Sequence, residues 1–136
     1  MNSLWGQILQ LQHNRIDGLS FFSFRNMRSL SELDLSHNSI TSVEPKSFES
    51  SRALLRLDLS NNAITLLPSN AFWSLPNLRE LNLGRKRIQR VAPEAFYDLV
   101  SLENLQLEEN VVQHVDPKAF HGPTSSIRSL NPVAQS

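Results

Sequence analysis

The sequence predicts a curved solenoid of short stacked units. Its concave face is a parallel β-sheet, and its convex side is mostly turns and short 3-10 pieces. Three observations predict this. Phe24, Phe48, Phe72, Phe96 and Phe120 recur at a constant step of 24 residues. A Leu-x-Leu pair keeps the same step, at Leu9/Leu11, Leu33/Leu35, Leu57/Leu59, Leu81/Leu83 and Leu105/Leu107. An asparagine follows each pair, at Asn14, Asn38, Asn62 and Asn110, with Lys86 as the interruption. A fixed period in the twenties marks a stacking unit, whereas an amphipathic helix would repeat at about 3.6 residues.

Each part of the unit has a physical reason. Units start at Gly6, Leu30, Leu54, Leu78 and Leu102, and together span residues 6–123. Alternation of period two makes Leu-x-Leu a half-buried strand, with both leucines on one face and the residue between them on the other. Stacked about 4.8 Å apart, such strands form a parallel sheet. Position 11 of each unit is Ile16, Ile40, Ile64, Ile88 or Val112, and position 14 is Leu19, Val43, Leu67, Val91 or Val115. These columns and the phenylalanines fill the interior together with the leucines. Each fully buried side chain contributes roughly 1.5–3 kcal/mol, and no unit can bury its face alone.

The return segment carries Pro45, Pro93 and Pro117 at position 16, with Pro68 displaced by one residue in the third unit. Proline fixes φ and removes a donor, which argues for turns rather than a long helix. The asparagine offers two donors and an acceptor, the set needed to satisfy buried backbone groups of neighbouring units at the turn.

The frame resembles the leucine-rich repeat, L-x-x-L-x-L-x-x-N-x-I-x-x-L-x-x-x-x-F-x-x-L, in its 24-residue form typical of extracellular receptors and secreted proteins. The resemblance implies an α/β-type solenoid, a right-handed curved superhelix, and a continuous ladder built from Asn14, Asn38, Asn62 and Asn110. It also implies protein–protein recognition on the concave face, and an extracellular or cell-surface location. It makes the chain look like part of a longer array. A structural spacer without its own ligand, and an accessory domain of a larger signalling protein or enzyme, stay open as alternatives.

Departures from the frame carry their own expectations. Lys86 has donors only and resists burial, so its ammonium is expected to turn to solvent and leave a backbone N–H unpaired, costing about 1–3 kcal/mol. Residues 1–5 read as the end of a preceding incomplete unit. Residues 124–136 read as a partial sixth unit, begun by Ile127 and Leu130 one residue out of step, or as a frayed tail. Without caps, Trp5, Leu9 and Leu11 at one end and Leu105 and Leu107 at the other should be exposed.

Composition excludes several classes. Thirteen basic residues balance 13 acidic ones over 136 residues, which suggests neither nucleic-acid binding nor an acidic tail. No apolar run approaches the ~18 residues of a membrane helix. No cysteine is present, so disulfides are excluded. No phosphate loop, catalytic triad or metal constellation is visible, and neither an enzyme activity nor a cofactor is expected.

Function therefore falls to the positions the repeat leaves free. On the concave face these are Gln10, Glu32, Asp34, Arg56, Asp58, Glu80, Asn82 and Gln106, joined at the rim by His13, His37, Arg85 and Glu109. We expect them to contact a protein partner. Glu32, Arg56 and Glu80 should sit side by side with alternating sign, and an exposed ion-pair ladder is the plainer reading. Asp34 and Asp58 stack on adjacent strands, but no nucleophile or base converges on them. His13 and His37 share a column, yet a zinc site wants four ligands. Arg85-Lys86-Arg87, with Arg79 and Arg90, is the concentrated basic patch, a weak contact for an acidic glycan. Glu103, Glu108 and Glu109 should partly neutralise it.

Overall fold

The computed structural model describes residues 6–20, 22–84, 87–110, 114–115, 118–119 and 129–131. Arg85 and Lys86 lie outside these residues, as do Trp5, Val112, Pro117, Phe120, His121 and Ile127.

The Leu-x-Leu segments form the strands of one six-stranded parallel sheet. They are β1 (Gln7–Gln10), β3 (Leu30–Asp34), β5 (Arg56–Asp58), β7 (Glu80–Asn82), β9 (Asn104–Gln106) and β11 (Ser129–Asn131), in that spatial order. Register follows the repeat. Glu32 pairs with Arg56, Arg56 with Glu80, and Glu80 with Asn104; Asp34, Asp58, Asn82 and Gln106 form the parallel row two residues on. Backbone bonds extend the ladder past the strands, from the Leu35 N–H to the Asp58 carbonyl and from the Leu59 N–H to the Asn82 carbonyl, both 2.8 Å.

Leucines at the first, fourth and sixth positions of the second to fifth units are buried, and the phenylalanines form a stacked spine behind them. Ring centroids are 5.8 Å apart for Phe24–Phe48, 6.2 Å for Phe48–Phe72 and 5.9 Å for Phe72–Phe96, within the range of favourable offset stacking. The spine runs on the return side, away from the concave face. In the first unit Leu9, Leu11 and Ile16 are half-buried against this core.

The C-terminal end corrects an expectation. Leu105 and Leu107 are buried, not exposed. Strand β11 lies on β9 with Leu130 paired to Leu105, a step of one residue more than the 24 used elsewhere, and so supplies the neighbour that the fifth unit needs.

The outer side consists of turns and two short parallel ladders; no helix, α or 3-10, occurs among the described residues. Strand β2 (Gly18–Leu19) pairs with β4 (Ser42–Val43), while β6 (Leu66–Leu67), β8 (Arg90–Val91) and β10 (His114–Val115) pair with one another. The break between β4 and β6 has a local cause. Elsewhere the residue after the pair donates its N–H across the joint, from Glu44 to the Leu19 carbonyl at 3.0 Å and from Ala92 to the Leu67 carbonyl at 2.9 Å. In the third unit that residue is Pro68, which has no N–H to give.

Candidate functional site

Two columns of side chains leave the concave side of the sheet, at the third and fifth positions of each unit. Gln10, Glu32, Asp34, Arg56, Asp58, Glu80, Asn82 and Gln106 all line one hollow of about 250 Å³ across the strands. Ile8 and Asn104, which belong to the same columns, line it too. Ile8 is 61% exposed, an apolar contact at the N-terminal end.

Arg56 sits at the centre and is engaged on both sides. Its Nε lies 3.0 Å from Glu80 Oε2, and one terminal nitrogen lies 3.9 Å from Glu32 Oε1. All three side chains are well exposed, so the pairs fix geometry more than they stabilise, at about 0–1 kcal/mol each.

The fifth-position residues do a second job that the bare column did not reveal. Asp34 Oδ1 accepts from the Ser36 N–H at 3.0 Å and the Ser36 hydroxyl at 2.6 Å. Asp58 Oδ1 accepts from the Ser60 N–H at 2.9 Å and its hydroxyl at 2.6 Å. Asn82 Oδ1 accepts from the Gly84 N–H at 3.0 Å. Each closes a turn at the strand end. The signal was present as a serine two residues after each aspartate. The second carboxylate oxygen of Asp34 and of Asp58 has no protein partner among the described residues, and the two side chains stand on adjacent strands in direct register.

The rim is set by backbone conformation. His13, His37, Asn61 and Glu109, all at the eighth position, have φ between 55° and 60°. This left-handed turn is uncommon for residues with a side chain. The His13 and His37 rings stack, with centroids 4.5 Å apart and planes 12° from parallel. His37 also borders a second hollow of about 270 Å³, with Asp58, Ser60, Asn82 and Glu108. No three His, Cys, Asp or Glu side chains cluster as metal ligands among the described residues. Glu109 is exposed at the far end of the rim.

The expected neutralisation of the basic patch differs in the structure. Arg79, Arg87 and Arg90 are exposed, and none forms an ion pair with Glu103 or Glu108 among the described residues. The Glu108 carboxylate instead folds over Gly84, where a Cβ would lie 2.9 Å from its Cδ. Glycine there makes room for the folded carboxylate.

The asparagines of the turn bond across the joints. Asn38 Nδ2 donates to the carbonyls of Leu11 and Leu35, each at 3.0 Å, while its Oδ1 accepts from the Ile16 N–H at 3.2 Å. Asn62 repeats this with Leu35, Leu59 and Ile40. Asn110 repeats it with Leu83, Leu107 and Ile88. Asn14 donates to its own unit, to the Leu11 carbonyl at 2.9 Å.

No helix among the described residues is long and apolar enough to cross a membrane. No curated protein sequence matches this chain. Among solved structures, a chain of the TLR13–ssRNA13 complex is similar in fold, with a TM-score of 0.53 at 22% identity. The match covers 96% of this chain but 22% of that one, so this chain spans about a fifth of its length. A family model described as leucine rich repeat matches residues 7–55, 37–88 and 76–131. Those three matches run almost end to end, and with the stacked Leu-x-Leu strands and the asparagine joints they show that the chain belongs to the leucine-rich-repeat family.

Proposed function

We propose that this chain is a non-enzymatic protein-recognition module, part of an extracellular or cell-surface protein, that binds its partner in the concave hollow of the sheet. The observation that carries the reading is the convergence of two variable columns on one hollow. Eight of the residues chosen from the sequence meet there, held by strands whose register the interior fixes. A preformed surface of this kind orders few side chains on binding, which spares much of the entropy that association otherwise costs.

RNA is bound in the solved TLR13 complex, but it fits this hollow poorly. Four carboxylates line the hollow, and they repel a phosphate backbone. The exposed Arg79, Arg87 and Arg90 leave the acidic-glycan contact as a secondary, rim-side reading.

The test is steric. Gln106→Trp and Glu80→Trp fill the hollow, whereas Leu66→Trp adds the same bulk on the outer side. In pull-downs from a secreted or cell-surface fraction, capture should be lost with the first two and kept with the third. Capture that survives both hollow-filling variants, in protein with an unchanged melting curve, sinks the assignment.

A further inference from the structure

We infer that the concave hollow takes a basic partner segment, one that places lysine or arginine side chains over the second to fourth units; the inference rests on the concave reading above. The chain as a whole is neutral, with 13 cationic and 13 anionic residues. The hollow is not. Its charged lining is Glu32, Asp34, Asp58 and Glu80 against the single cation Arg56, a net of three negative charges. That cation is already held by Glu32 and Glu80, at 3.9 and 3.0 Å, and has little left to offer an anion.

Asp34 and Asp58 sharpen the point. They pair in register on neighbouring strands, where like charges facing each other are destabilising. Their Oδ1 atoms are used by Ser36 and Ser60, and the other oxygens stay free for a ligand. The turns themselves need only an amide oxygen, since Asn82 closes the next one without a charge. The charge at Asp34 and Asp58 is therefore surplus to folding, and a cation above them relieves the repulsion. Concave walls focus this field and steer an oppositely charged segment toward it. The ends of the hollow are uncharged, with Ile8 and Gln10 on one side and Asn104 and Gln106 on the other. The occupant thus carries its cations in the middle and neutral or apolar residues at its ends.

The experiment titrates the full chain with a lysine-rich peptide, a glutamate-rich peptide and single-stranded RNA, at low and physiological salt. Only the lysine-rich peptide should bind, more weakly as salt rises. The double variant Asp34→Asn/Asp58→Asn keeps both turn acceptors and removes both charges. It should weaken binding about tenfold, the order expected for two exposed charge pairs. Glu44→Gln/Glu49→Gln, which removes two charges from the outer side, should change it little. No binding of the lysine-rich peptide, equal loss with the two double variants, or preference for RNA or the glutamate-rich peptide overturns the proposal. If a partner excluded by Gln106→Trp binds while the lysine-rich peptide does not, the basic-segment inference fails and the concave reading stands. If lysine-rich binding ignores the asparagine pair, the basic-segment inference fails, and the concave reading is judged by capture with Gln106→Trp and Glu80→Trp.

Discussion

Two neighbouring joints of this solenoid are held by different bonds. Between the second and third units, Asn62 ties the interior: its amide reaches the Leu35 and Leu59 carbonyls, and its oxygen accepts from the Ile40 N–H. The outer side of that joint has no strand pairing, because Pro68 cannot donate. Between the third and fourth units the pattern reverses. The outer strands Leu66–Leu67 and Arg90–Val91 pair, but the position that should supply the amide is Lys86. The Leu35 carbonyl accepts from two asparagines, whereas the Leu59 carbonyl accepts from one. By the same spacing, the position that would accept from the Ile64 N–H is occupied in the sequence by a lysine, whose side chain has no acceptor. The units are near-copies, yet each joint has its own weak side. In a repeat protein stability is close to a sum of unit and joint contributions, so these differences should be measurable one joint at a time.

The largest test removes what the two joints share. The phenylalanine spine crosses both without a break, and Phe72 is fully buried between Phe48 and Phe96. Phe72→Ala should cost about 3–5 kcal/mol in urea unfolding. A loss below about 2 kcal/mol would mean that the spine does not couple the units. Next comes the tied joint. Asn62→Ala strands the Ile40 N–H and takes a donor from two carbonyls, and should cost about 2–4 kcal/mol. The joint whose asparagine position holds Lys86 should respond in the opposite direction. Lys86→Asn restores the missing amide and should stabilise by about 1–3 kcal/mol, while slowing hydrogen exchange at Ile64 toward that of Ile40. An unchanged melt and an unchanged Ile64 amide would show that something other than an asparagine already satisfies that joint.

Much of this fold was legible because the contacts are between copies. A side chain at a given position meets the same position one unit away, so a column in the sequence is a row in the structure. That logic places Phe24 to Phe96 in one stack and Glu32, Arg56 and Glu80 in one line. It also collects eight of the expected concave residues around one hollow. It fails where the copies differ or the spacing slips. Leu105 and Leu107 read as terminal because the next strand pairs one residue out of step, whereas both are buried. Glu108 looked like a counter-charge for the arginines, but glycine at 84 lets it fold over the backbone instead.

The sequence alone determined the period, the interior columns and the two variable columns of the sheet. Periodicity does this because each unit must bury the same face against the next. Only the tertiary structure decided how the free atoms are used. It gave one oxygen of Asp34 and Asp58 to a turn and left the other exposed, and it bound Arg56 to both flanking glutamates. It also turned the backbone of His13 and His37 to positive φ, with their rings stacked. Those choices depend on distances of a few ångströms between strands and on local backbone angles, quantities that a one-dimensional pattern does not carry.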